Sequence, residues 1–387
     1  MTDDFTLFII NFVESNIKTS DITTLMKHIF VIGDVELGAG NKTDDFIADK
    51  VLSRLISSWS VHKNADLVLN GDTFDFLKCP YTLPAQYTRH VTAEIAVKKL
   101  HLVIKAHPLV FRALKKFAKN NMIYFIRGNH DLELAFPAVQ QELRLYLKNV
   151  WFPGLQYVFQ DVYVEHGQQY DPANWMHPRR LFAYLGGKRI LNNTFSSFTV
   201  IGALIPLKEE HPFLERIKPW PLMMRFHAPI GKKVNRTIFF YFLKSVFYYP
   251  LRYYADPTHQ FPRQFIGEFV RRVRSWNWDL ADYLPIFKKK NRPQKVIVLG
   301  HIHESLIEKN KHRVIIRPGA WRDEYLLYSS GVVEPIRKQY VHITVGKKTR
   351  WKVEELPRYR TSLNFYEIVR DEQKVLTAAI EEERTVK

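Results

Sequence analysis

The chain has 387 residues, 46% of them hydrophobic, and a formal net charge of +18. That is enough apolar material for a large core, as one big domain or one domain carrying an elaborated insertion. The lone cysteine, Cys79, excludes an intramolecular disulfide and fits a reducing compartment. The opening Met1-Thr2-Asp3-Asp4 is acidic, so an export signal is not expected. No apolar run reaches the roughly 18 residues of a membrane span. A cytoplasmic protein is expected, with a peripheral place at the inner face of a membrane left open. The charge is unevenly placed: residues 174–295 carry 22 Lys and Arg against 7 Asp and Glu. Such a field suits phosphate-rich partners, either an anionic membrane surface or nucleic acid.

In chain order, residues 5–13 form a short apolar segment expected to pack as a helix or strand. The run 28–32 reads as a strand ending in Gly33-Asp34-Val35-Glu36. Helical spacing over 45–60 follows, and then a strand at 66–69 ending in Asn70-Gly71-Asp72-Thr73-Phe74-Asp75. A long helical region over about 90–120 leads to the strand 122–126, which closes in Arg127-Gly128-Asn129-His130-Asp131. Beyond a further helix from Leu132, residues 156–165 make a strand or hairpin ending in His166-Gly167. From about 175 to 293 the texture turns aromatic, basic and Pro-containing, and is read as a mainly helical inserted cap. The core resumes at 295–299, ending in Gly300-His301-Ile302-His303, with further strands at 313–316, 340–345 and 349–354. The division is therefore core 1–174, cap 175–293, core 294–360 and a charged, solvated helical tail over 361–387. The histidines at 28, 62, 101, 107 and 312 read as ordinary surface or core residues.

Five apolar runs thus end in Asp34/Glu36, Asp72, Asn129/His130, His166 and His301/His303. Alternate residues of an extended chain point to one side, which pairs His301 with His303. Carboxylate, amide oxygen and imidazole with no thiolate suit Mn, Fe, Zn or Mg rather than a structural zinc site. Asp72, between the two sets, is the natural carboxylate to bridge two divalent ions. Such a pair, roughly 3.5–4 Å apart, clamps a phosphoryl oxygen and makes hydroxide available at neutral pH.

The order Gly-Asp-x-x, Gly-Asp, Gly-Asn-His-Asp, His-Gly, Gly-His-x-His resembles the calcineurin-like metallophosphoesterase superfamily, from Gly33 to about Trp321. The resemblance implies a four-layer α/β/β/α sandwich and two divalent metals, with Mn favoured and Mg, Fe or Zn as alternatives. Asp34, Asp72 and His303 would hold one metal, and Asp72, Asn129, His166 and His301 the other. It also implies that His130 meets the phosphate and protonates the leaving oxygen, that Asp131 holds the His130 tautomer, and that Arg127 adds charge near the phosphate. One position departs from the family: Asp-x-His is replaced by Asp34-Val35-Glu36. Glu36 is read as a substitute ligand that makes its site richer in oxygen and favours harder ions.

A narrower similarity joins Gly71–Phe76, His166-Gly167 with Asp171-Pro172-Ala173-Asn174, and Arg317–Trp321 to the bacterial branch containing UDP-2,3-diacylglucosamine pyrophosphatases. That branch implies a phosphorylated, lipid-linked or nucleotide-sugar substrate. This chain differs in its larger insertion and in having Gly-Asn-His-Asp where that branch typically shows Gly-Asn-Arg-Asp. The leading expectation is a metal-dependent phosphohydrolase acting on a phosphoester or pyrophosphate of an amphipathic substrate. The alternative is a nuclease or nucleotide phosphodiesterase gripping nucleic acid with the basic insertion. A third reading, from another class, is a non-catalytic scaffold of the same fold.

Overall fold

A computed structural model describes residues 26–386 except 83, 178, 260–264, 276–281 and 291. The expectation for residues 5–13 lies outside the described residues. The centre of the molecule is two stacked sheets. The first has six strands in the order Arg350–Glu355, Gln339–Val345, Lys27–Ile32, Ala65–Asn70, Met122–Ile126, Val150–Gly154. The second has five, in the order Leu306–Lys309, Val314–Arg317, Val296–Leu299, Val162–Glu165, Gln156–Phe159. Lys27–Ile32, Ala65–Asn70 and Met122–Ile126 run parallel, as do Val162–Glu165, Val296–Leu299 and Val314–Arg317.

The two-residue period of a strand explains the layering. Ile29 and Val31 face the second sheet, packing with Val164, Val296, Val298 and Ile316. Phe30 and Ile32 face the other way, onto the helices Asp49–Trp59, Ala93–Ala106, Pro108–Phe117 and Pro137–Tyr146. On the second sheet, Ile297 and Leu299 turn outward to Tyr283, Leu284 and Phe287 of the short helix Leu284–Lys288 and its approach. The result is the four-layer α/β/β/α sandwich, with a thin outer layer on the second sheet. Burial on both faces is also why the parallel strands read as near-continuous apolar runs.

The helical region over 90–120 is two helices rather than one. Pro108 disfavours helical backbone at His107, whose φ/ψ is −116/53, and itself opens the next helix at its first position. Pro137 acts similarly, leaving a single 3₁₀ turn at Leu132–Ala135 before the helix Pro137–Tyr146.

The described part of residues 175–293, the expected insertion, is mainly helical, with two additions. Phe182–Leu185 and Lys188–Leu191 form a hairpin whose turn residues, Gly186 and Gly187, both have positive φ. The strand Ile217–Lys218 pairs with Tyr325–Leu327, so the insertion and the second part of the core share a small four-stranded sheet. The last helix, Glu372–Thr385, is docked rather than fully solvated. Leu376, Ala379 and Glu383 lie on one face and are buried, and Leu376 joins the cluster under the insertion.

Candidate metal centre

Each of the five parallel strands that end in a predicted motif delivers its side chains to the same edge of the stacked sheets, where open α/β sheets bind their ligands. Asp72 Oδ2 lies 3.1 Å from His166 Nε2, and Asn129 Oδ1 lies 3.3 Å from the same nitrogen. Asp72, His166 and His301 offer donor atoms that all fall within 4.8 Å of one another. His166 Nδ1 sits 2.9 Å from the Asn70 carbonyl, which orients the ring so that Nε2 faces the cluster. His303 Nε2 lies 3.5 Å from Asp34 Oδ1 and 3.8 Å from Glu36 Oε1. The structure therefore brings Asp34, Glu36, Asp72, Asn129, His130, His166, His301 and His303 to one place.

The backbone is bent to achieve this. Asp34, Glu36, Asp72 and His301 all adopt positive φ, between 47° and 68°, a conformation that costs a non-glycine residue energy and concentrates at functional sites. Gly128 is required for a different reason: a Cβ there would lie 2.0 Å from Asp72 Oδ1.

The electrostatics match the chemistry. Burial alone would strip charge from His166, but the Asp72 and Asp34 carboxylates outweigh it and lift the imidazole to about 10. Burial likewise opposes charge on His130, and Glu36, Asp72 and Asp75 lift it to about 10. Against the cost of its own burial, Asp72 is held far below the usual carboxylate range by His166 and His130. The pocket is thus built around an excess of negative charge, and the oxygen and imidazole donors are those that a divalent cation takes. Asp72, Asn129, His166 and His301 fit such an ion.

The calcineurin-like phosphoesterase family profile matches residues 27–340. The chain belongs to that family. The phosphoesterase is accordingly a metal-dependent enzyme. No curated protein matches it. Among solved structures it is similar to a conserved uncharacterized protein, a predicted phosphoesterase, from Streptococcus pneumoniae TIGR4, at 9% identity and TM-score 0.26, over 88% of this chain and 98% of that one. It is also similar to vacuolar protein sorting 29 from Cryptosporidium parvum, at 10% identity and TM-score 0.28, over 86% and 100%. A third is a putative 5'-nucleotidase from Staphylococcus aureus in complex with alpha-ketoglutarate, at 13% identity and TM-score 0.32, over 92% of this chain and 58% of that one. At such scores these likenesses carry no argument about the site.

Two predicted roles change on inspection of this phosphoesterase. Asp131 does not orient His130: its Oδ1 accepts the Gly128 amide at 2.7 Å and its Oδ2 the Thr73 amide at 2.8 Å, so it ties two ligand loops together. The carboxylate at the His130 ring is Asp75, whose Oδ1 is 3.0 Å from Nδ1. Sequence adjacency suggested Asp131, but the tight turn after Gly128 aims it backward. The Arg127 guanidinium lies against Gly154, where a Cβ would come within 3.3 Å, and its described contacts do not bring it to the ligand cluster.

Sequence reasoning also passed over Lys78, Asp171, Arg322 and Glu324. Asp171 Oδ2 stands 3.2 Å from His301 Nε2. Glu324 Oε1 takes His303 Nδ1 at 2.6 Å and positions that ring. Asp171 lay in the quoted Asp-Pro-Ala-Asn stretch and Asp75 three residues after Asp72, so both had a local signal. Lys78, Arg322 and Glu324 had none.

Proposed function

We propose that this enzyme hydrolyses a phosphoester or pyrophosphate bond in an amphipathic substrate, of lipid-linked or nucleotide-sugar type, with Mn as the preferred ion. The metal, held by Asp72, Asn129, His166 and His301, would draw charge from the phosphoryl oxygens and acidify water. With Nδ1 turned to Asp75, His130 has Nε2 left to hold a proton against the leaving oxygen. Asp131 keeps the Gly128 and Thr73 loops in register, so that Asn129 and Asp72 stay aimed at one point.

The observation behind the substrate class is a stripe on the insertion. Along the helix Ala228–Leu243 and its continuation to Arg252, Lys232, Arg236, Phe240, Lys244, Phe247 and Leu251 follow one another at three- or four-residue spacing, and all are exposed. Val234, Ile238 and Tyr241 line the opposite, buried face. Exposed rings and a leucine interleaved with cations suit an interface between apolar chains and phosphate headgroups. Among the described residues no helix is long and apolar enough to cross a membrane, so any contact is peripheral. The insertion is also tied to the site, where Ser197 Oγ donates to the Asn129 carbonyl at 3.3 Å.

The test is turnover of p-nitrophenyl and bis-p-nitrophenyl phosphate by metal-stripped protein with Mn, Mg, Zn and Fe added back singly. A diacylated sugar pyrophosphate is then compared with its deacylated form. Metal-dependent release, and preference for the acylated compound, are the expected results. Equal use of both compounds removes the amphipathic substrate. The basic excess of the insertion favours a nuclease as second reading, and steeply salt-dependent binding of single-stranded DNA or RNA with metal-dependent cleavage would select it.

A further inference from the structure

The half of the centre around Glu36 is built differently from the half around His166. Glu36 is fully buried, and both its oxygens are already claimed. Arg322 Nη1 donates to Oε1 at 3.0 Å and to Oε2 at 2.9 Å, and Lys78 Nζ approaches Oε2 at 3.3 Å. Lys78 itself sits where a cation would. Glu36, Asp45 and Asp75 form an acidic triplet whose oxygens all fall within 4.8 Å, and Lys78 Nζ is 3.3, 2.6 and 2.9 Å from those three carboxylates.

Arg322 is equally fixed. Its Nε is 3.2 Å from Glu324 Oε1, the oxygen that holds His303, and its Nη2 donates to the Glu215 carbonyl at 2.8 Å. A guanidinium keeps its charge at any physiological pH, so this cation does not withdraw. Asp72, His166 and His301 form a triplet within the same 4.8 Å, and Asp34, Glu36 and His303 do not. The triplet that Glu36 does form, with Asp72 and His130, shares Asp72 with the first and has both Glu36 oxygens bound by Arg322 or Lys78. A second divalent ion beside Glu36 would meet two positive groups in a dry site, where like charges repel strongly.

We propose that the enzyme retains one tightly held divalent ion, at Asp72, Asn129, His166 and His301, and that Lys78 and Arg322 supply from the protein the positive charge on the Glu36 side. This rests on the reading of the protein as a metal-dependent phosphohydrolase. Asp34 and His303 then complete the wall of the pocket, with His303 anchored through Glu324. Glu36 is a positioning residue for Arg322, its departure from Asp-x-His being matched by the two buried cations.

The experiment loads the full chain with Mn, removes loosely held ion by gel filtration, and measures Mn per chain by elemental analysis with the Mn(II) electron paramagnetic resonance spectrum. About one equivalent with the spectrum of an isolated ion is expected. His166→Ala should lose that equivalent, while His303→Ala keeps it. Arg322→Gln, checked for folding by thermal melting, should gain affinity for a second ion, because Glu36 is released. If Arg322→Gln does not fold, the His166→Ala and His303→Ala pair still decides. Two equivalents in the wild type, a spin-coupled spectrum, and a fall to one in His303→Ala would overturn the inference while leaving the phosphohydrolase reading intact. No bound metal and no turnover in the wild type would overturn both.

Discussion

His130 Nδ1 lies 3.0 Å from Asp75 Oδ1, and the His130 amide donates to Asp72 Oδ1 at 2.7 Å. One residue thereby reads the positions of two carboxylates that leave the same strand end, and its ring is fixed relative to Asp72, a candidate ligand. This favours proton delivery to a leaving oxygen over a role in binding metal. His130→Ala is expected to lower kcat about 100- to 10,000-fold on p-nitrophenyl phosphate. The bound-metal content should stay unchanged. Loss of metal together with activity would make His130 a ligand instead.

Gly128 offers a sharper test of how the site is assembled. A methyl group there would penetrate the Asp72 carboxylate, 2.0 Å from Oδ1, and would lie 2.5 Å from the Asp72 amide. Asp72 is held on a strained backbone with φ 47° and has little freedom to retreat. Gly128→Ala is therefore expected to abolish retention of metal while the far-ultraviolet circular dichroism stays close to wild type. Metal content equal to wild type after gel filtration would show that Asp72 can be displaced without cost.

The strands that carry the site were legible because they are buried on both faces. Runs such as Met122–Ile126 and Val296–Leu299 have almost no polar residue until the chain reaches the edge of the site, and the polar residues that follow include the candidate ligands. The docked tail was less visible, since it depends on partners distant in sequence, whereas the divided helix at His107-Pro108 carried a local proline signal that the helical spacing on either side masked. The charge lattice around Glu36 was invisible for a stronger reason. Lys78, Lys208, Arg216 and Arg322 are all buried, yet in sequence a lysine or arginine destined for burial among carboxylates looks like one destined for water. Only the departure at Glu36 marked the place.

His107 read as an ordinary histidine, and the structure gives it a structural charge. Its ring bridges Asp44 at 3.0 Å and Asp49 at 2.9 Å. Burial pulls its affinity for a proton down, but Asp44 and then Asp49 reverse this and lift it to about 10. The folded state thus binds the proton more tightly than the unfolded chain, whose histidine titrates near ~6.5. The stability this supplies is complete below about pH 6.5 and is lost as pH rises through the folded value near 10. Chemical denaturation between pH 6 and 10 should show unfolding free energy falling with pH, and His107→Gln should make the slope shallower, leaving the share that His130 and His166 supply. An identical slope in the variant would assign the alkaline loss elsewhere. Truncation to Ala removes the cation from Asp44, which keeps the Gly38, Gly40 and Phe46 amides, and should cost about 1–3 kcal/mol.

The last helix acts on the core through one carboxylate. Glu383 Oε1 accepts the backbone amides of Lys50 at 2.6 Å and Val51 at 3.1 Å, in the first turn of Asp49–Trp59, whose own N-cap residue, Ala48, makes no side-chain cap. A helix start left without such an acceptor has exposed amide donors, and a favourable carboxylate there also meets the positive end of the helix dipole. Glu383→Ala is expected to cost about 0.5–2 kcal/mol. Glu383→Gln should recover part of that, because its amide oxygen can still accept. Ending the chain at Asp371 should cost more, since Leu376 leaves the cluster it shares with Phe365 and Ile368. Urea titrations of the three variants order these effects. Glu383→Ala as stable as wild type would mean that water caps the helix as well as the carboxylate does, and that the tail is held by its apolar face alone.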